Sequence, residues 1–193
     1  LYVNTSELVS RLSFAIDATY LNQVIPGRHY QAALAQETPN LPRFQRFGDD
    51  AAFVAGWALY AESLGSELGL YADPYGQFGA LDSELRRAAA LVVDTGLHAK
   101  GWSRQRAIDY LRANTASGEA DIAVEVDRSI ARPGEALADK VGQLKILELR
   151  RRAEQRLGER FNVRDFHEQV VGGGSMPLSV LELRIENWIK SRR

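Results

Sequence analysis

The chain has three histidines, His29, His98 and His167, and no cysteine. Without a thiol there is no disulfide framework, no thiolate metal site and no sulfur nucleophile. What remains is acid–base chemistry, anion recognition, or a metal held by nitrogen and carboxylate. A catalytic zinc needs three protein ligands. No two histidines are four residues apart, so no pair shares a helix face as neighbouring ligands. His29, His98 and Glu62 or Asp94 could together supply three donors, but their spacing gives no reason for them to meet. A metal-free pocket is the other route. Its candidate catalytic residues are His29, Arg28, His98 and Asp94, with Glu125 and Asp139 as further acids. Histidine titrates near neutrality and can exchange protons there. Arginine stays charged, and its planar fork matches carboxylates and phosphates. Each residue also has a plainer reading. A lone histidine beside a bend is more often hydrogen-bonded structure, and charges more often form solvated faces or ion pairs. His167, between Phe166 and Glu168, reads as structural.

These residues can meet only if helices bring them together. Residues 1–13 read as an extended lead-in. Residues 14–36 carry a helical pattern interrupted at Pro26-Gly27, where proline removes a backbone donor and the helix should kink. Positions 22 and 28 do not share a face of a straight helix, so the kink is what could join them. Prolines at 39 and 42 mark a loop. A long helix is expected over 47–70, with Phe53, Trp57, Tyr60, Leu64 and Leu68 on one broad face. Asp73-Pro74 opens the next helix, running to about residue 97. Ser103 caps another carrying Ala107, Ile108 and Leu111, and residues 114–118 form a turn. Residues 122–130 have helical spacing, and Pro133 starts the following element. Residues 137–157 form a long amphipathic helix with Leu137, Val141 and Leu144 on one face and Gly158 as its stop. Asn162 caps a short helix. Gly172 to Ser175 is a turn, lacking the lysine and hydroxyl of a phosphate loop. Pro177 opens a last helix with Leu178, Leu181, Ile185, Trp188 and Ile189 on one stripe. The expected fold is all-α, a single layered helical bundle of about seven to eight helices, one domain over 1–193.

Composition narrows the function. A chain of 193 residues, 45% hydrophobic and 25% charged, is that of an ordinary globular protein. With 24 basic and 25 acidic residues it lacks the basic excess a nucleic-acid binder needs. No apolar run approaches the ~18 residues of a membrane helix, and no signal peptide is visible. A soluble, cytoplasmic protein is expected.

Four strings then point to a family. The stretch Leu21-Asn22-Gln23-Val24-Ile25-Pro26-Gly27-Arg28-His29-Tyr30-Gln31 resembles the signature H-E-x-x-P-G-H-H-x-Q of a bacterial family of unknown function, number 885, which looks like a branch of the zincin-type metallopeptidases. Gly56-Trp57-Ala58-Leu59-Tyr60-Ala61-Glu62 is similar to E-G-W-A-L-Y-A-E without its first glutamate. Residues 91–98 match a third string. Glu125, Arg128 and Pro133-Gly134 match parts of E-x-x-R-Y and P-G-Q-A-L-A-Y. By this resemblance the metal ligand and general base would lie at Asn22 and Gln23, a paired histidine at Arg28 and a third ligand at Ala55. None of these residues can do that work. Ala90, Ser129, Glu135 and Asp139 also depart from the family pattern, while the packing strings stand. The resemblance therefore implies a metallopeptidase-like scaffold without metal or cofactor: a pseudoenzyme acting by binding or by pairing with another chain. The alternative is a repurposed, metal-free pocket for a small polar or anionic ligand, and an active zinc hydrolase comes a distant third. The pocket would be lined by Asn22, Gln23, Arg28, His29, Ala55, Tyr60, His98, Glu125, Arg128, Ser129 and Asp139. Arg28 is expected either to await a carboxylate or, somewhat more readily, to pair internally with Glu125, Glu135 or Asp139. The family's members are longer and the match is to their C-terminal part, so a protein partner, a second copy or an N-terminal portion is expected to cover an apolar face.

Overall fold

The computed structural model describes residues 13–192. The expected lead-in at 1–12 and the terminal Arg193 lie outside the described residues. Where polar caps and prolines were read, helices begin. Asp73 accepts from the Gly76 N–H, Ser103 from Arg106 and Asn162 from Arg164 and Asp165. Each satisfies a backbone donor that the first turn leaves without a partner.

The helices are α1 (Ile16–Gln23), α2 (Arg28–Glu37), the single-turn α3 (Arg43–Arg46), α4 (Ala51–Ser63), α5 (Pro74–Lys100), α6 (Arg104–Asn114), α7 (Glu119–Ala131), α8 (Glu135–Leu157), α9 (Val163–Val171) and α10 (Leu178–Ser191). The fold is all-α, a helical bundle in which nine helices have eight residues or more among the described residues. The ninth arises because Pro26-Gly27 breaks the first helix completely. Two features fix that break. Trp57 Nε1 donates to the Pro26 carbonyl at 2.8 Å. Gly27 lies so close to the carbonyls of Leu21 and Asn22 that a Cβ there would collide with both.

The bundle is organised around α4, whose residues 53–62 are all buried. The sequence pattern gave it one buried face; the structure buries it all round, as expected of a helix this apolar. α4 begins at Ala51 rather than 47, because the Asp50 carboxylate caps it through the Phe53 N–H. It ends by Ser63, and Leu68, expected on its apolar face, is 57% exposed.

α8 crosses α4 at Gly56 and Gly142, each of whose Cα atoms occupies the space a Cβ on the other would need. The buried face of α8 accordingly runs Ala138, Gly142, Ile146, Leu149, Ala153 and Leu157. Val141 and Leu144, read as its apolar face, are 46% and 50% exposed. One core unites α4, α8, α9 and α10 through Phe53, Trp57, Ile146, Leu149, Phe166, Leu181 and Ile185. A second packs α5, α6 and α7 through Val93, Ala107, Leu111, Ile122 and Val126. No helix among the described residues is long and apolar enough to cross a membrane.

Candidate functional site

The break between α1 and α2, the start of α4 and the ends of α7 and α8 converge on a cleft of about 520 Å³. α1 contributes Asn22 and Gln23, α2 contributes Arg28, and α4 contributes Val54 and Ala55. α5 supplies Arg87, α7 supplies Glu125, Arg128 and Ser129, and α8 supplies Asp139. A break that ends one helix at Gln23 and begins the next at Arg28 is what puts those two residues on one wall.

Most of the charges are already matched. Arg87 Nη1 lies 3.0 Å from Asp139 Oδ2. Arg128 and Arg132 both engage Glu135, at 2.6 and 3.2 Å. Hydrogen bonding from Arg128 holds the Glu135 carboxyl below the usual carboxylate range. Glu135 and Asp139, offered as partners of Arg28, are therefore taken by other arginines. Glu125 pairs with nothing, and neither does Arg28, among the described residues. The expected internal pairing of Arg28 is not formed.

Under the α1 wall lies a short polar chain. Gln23 Nε2 donates to Asn22 Oδ1 at 2.5 Å, and Asn22 Nδ2 donates to Glu62 Oε1 at 2.6 Å. Glu62 is 5% exposed, and burial raises its pKa above the usual range against the opposing influence of Ser83, Arg87 and Asn22. Ser83 is near enough to act on the charge but not in hydrogen-bond geometry to Oε2, which has no partner. The metal that the resemblance implies does not fit this wall. It offers two amides bonded to each other, the Ala55 methyl and a cationic guanidinium. Among the described residues no three His, Cys, Asp or Glu side chains are grouped to hold an ion.

Four candidate residues, His29, His98, Asp94 and Tyr60, do not line it. His29 and Arg28 are both exposed on α2, but adjacent helix residues point about 100° apart and Arg28 is the one that lines the cleft. His98 Nε2 meets the Ser129 backbone carbonyl at 2.9 Å. It holds the end of α7 and leaves the Ser129 hydroxyl untouched. Asp94, 1% exposed, accepts from Gly134 at 3.0 and 2.9 Å and from Ala136 at 3.2 Å, so it caps α8 from a neighbouring helix. Both fasten the cleft wall through backbone hydrogen bonds.

Tyr60 belongs to a separate cluster. Its oxygen accepts from Arg150 Nη1 at 3.1 Å and lies 2.8 Å from His167 Nε2. The Tyr60 oxygen thus stands between the Arg150 guanidinium and the His167 ring. Burial pushes the Tyr60 pKa up to about 12, and burial together with Arg150 lowers that of His167 to about 4. The folded pKa lies below the ordinary 6.5, so the neutral ring stabilises the fold above that value. Stability should fall as pH drops from about 6.5 to about 4, and His167→Gln should flatten this part of a pH–melting curve. An unchanged slope would contradict the arrangement.

The sequence did not single out Arg87, Asp49 or Arg132 as wall residues. Arg132 was legible as a second arginine four residues after Arg128, and it stands just past the end of α7. Arg87 and Asp49 carried no such signal, since only the packing of α5 and the position of the loop before α4 bring them to the cleft.

Among solved structures, a protein from Colwellia psychrerythraea provisionally described as a lipoprotein is 40% identical, with a TM-score of 0.96, over 98% of this chain and 32% of that one. A protein of unknown function from Shewanella oneidensis, given the same provisional description, is 24% identical with a TM-score of 0.79, over 89% and 31%. The latter shows likeness of fold alone. This chain thus spans about a third of the length of either structure. No curated protein matches it. The family described as bacterial protein of unknown function (DUF885) matches residues 1–185, and the chain belongs to that family.

Proposed function

We propose that this chain is a member of its family without metal-dependent hydrolysis, a pseudoenzyme of metallopeptidase-like ancestry whose cleft binds a small polar ligand bearing a carboxylate. The observation that carries this is Arg28. It lines the cleft without an ion pair among the described residues, while Arg87, Arg128 and Arg132 beside it are matched. It also sits at the first position of α2, whose cap offers no side-chain acceptor and whose first turn has no acid. The positive end of the helix dipole adds to its charge.

Arg28→Ala should fold as well as wild type, since nothing inside the protein depends on that charge. A charge-assisted hydrogen bond is worth about 1.5–3 kcal/mol, so binding of acetate, succinate or a similar small carboxylate should weaken at least about ten-fold. Loss of stability without loss of binding would overturn the reading. A companion expectation concerns metal. Protein purified without chelator should contain far less than one zinc per chain by elemental analysis, and tightly held stoichiometric zinc would sink the proposal.

A second reading, pairing with another chain segment, has its own observation. Leu81 and Leu85 on α5 and Val141 and Leu144 on α8 are 46–61% exposed, and those two helices pack together. Exposed apolar groups so placed favour a contact surface. By light scattering, the isolated chain should self-associate, and Leu81→Glu with Leu144→Glu should return it to a monomer. A clean monomer at the outset would count against it. For location, the relatives' description favours the cell envelope over the cytoplasm expected from the sequence, which fractionation of the native host would test.

A further inference from the structure

Four arginines and four acids line the cleft: Arg87 pairs with Asp139, Arg128 and Arg132 share Glu135, and one cation and two acids form no ion pair among the described residues. Arg28 has no partner, and neither Asp49 nor Glu125 has one among the described residues. A bare carboxylate would meet Arg28 favourably but would also lie in a cleft with two acids that form no ion pair, Glu125 being tempered only by the charge of Arg128. We propose that the cleft is built for a zwitterion: a small molecule whose carboxylate engages Arg28 and whose ammonium engages Glu125, with Asp49 adding to the negative field. This rests on the carboxylate reading of Arg28 given above and narrows it to one ligand class.

Ser129 is the independent observation. It is 3% exposed, it lines the cleft, and its Oγ has no hydrogen-bond partner. A buried hydroxyl without a partner is costly, and a ligand donor or acceptor entering the cleft would satisfy it. Ser129 follows Glu125 by four residues on α7, so the two present a hydroxyl and a carboxylate side by side on one face. His98 holds that turn through the Ser129 carbonyl and leaves the hydroxyl free to turn. Across the cleft, the amides of Asn22 and Gln23 supply neutral polar contacts. At about 520 Å³ the volume suits a ligand the size of an amino acid or somewhat larger.

Calorimetric titration can test this with a series that varies only the distance between the charges. The probes are glycine, β-alanine, 4-aminobutyrate and 5-aminovalerate, each against the carboxylate of equal length without the amine. At least one amino acid should bind ten-fold or more tightly than its matched carboxylate. That advantage should vanish in Glu125→Gln, while the bare carboxylate binds the variant as well as wild type or better. Ser129→Ala should weaken the preferred amino acid several-fold. If matched carboxylates bind as tightly as the amino acids, or Glu125→Gln leaves the gap intact, the zwitterion proposal is overturned and the carboxylate reading stands. If no carboxylate of either kind binds, both fail.

Discussion

Trp57→Ala should lower stability by about 3–5 kcal/mol, the range for removing a large aromatic from a packed core, and should weaken carboxylate binding at a cleft that the side chain does not line. The first effect follows from burial. Trp57 is 1% exposed and packs with Tyr60 and His167, with ring centroids 5.4 and 5.6 Å away. The second follows from its one polar atom. The indole N–H donates to the Pro26 carbonyl, in the break that sets where α2 begins and therefore where Arg28 stands. Trp57→Phe separates the two. It keeps most of the apolar contact and removes the donor, so it should melt much closer to wild type while still losing binding. Chemical denaturation and carboxylate titration on the same three proteins would check this. If Trp57→Phe binds like wild type, the indole bond does not position Arg28.

How far the sequence revealed this architecture depended on which physical signal each element carried. Asp73, Ser103 and Asn162 were readable as caps because a short polar acceptor before an apolar run has one good use there. The first helix was readable as interrupted because proline cannot continue it, but the completeness of the break depends on Trp57 and on the tight approach of Gly27. Neither shows in a local pattern. The face of α8 was misread for a related reason. Where α4 and α8 cross at Gly56 and Gly142, the buried residues are small, and Ala138 and Gly142 look less apolar than the exposed Val141 and Leu144. Hydrophobic periodicity follows side-chain size, whereas a close helix crossing selects against size.

Of the residues named for the cleft, Asn22, Gln23, Arg28, Ala55, Ser129 and Asp139 all lie on its wall. The cleft was illegible for His29, His98 and Tyr60. Chemical type made them attractive candidates, but side-chain direction, hydrogen bonding and burial sent each elsewhere.

Asp94 carries the other large expectation. It was a candidate for chemistry, and the structure makes it the cap of α8. Its carboxylate oxygens accept three backbone N–H contacts from Gly134 and Ala136, while the side chain is 2% exposed. Replacing it by alanine leaves those donors without acceptors and removes a negative charge from the positive end of a 23-residue helix. Loss of a cap, which strands the part-buried Gly134 and Ala136 donors, costs about 1–3 kcal/mol. Asp94→Ala should therefore lose about 2–3 kcal/mol. Asp94→Asn retains one acceptor oxygen and should recover roughly half of that loss. The consequence for function is directional. The first turns of α8 carry Glu135 and Asp139, which occupy Arg128, Arg132 and Arg87. If that end frays, those arginines are released into the cleft, and its lining, balanced at four arginines and four acids, turns positive. Asp94→Asn should therefore bind simple carboxylates more tightly than wild type and discriminate less between them and amino acids. Urea denaturation reads the first effect and calorimetry the second. A variant as stable as wild type would remove Asp94 from the role of cap, and unchanged selectivity in a destabilised one would show that the end of α8 does not set the charge of the cleft.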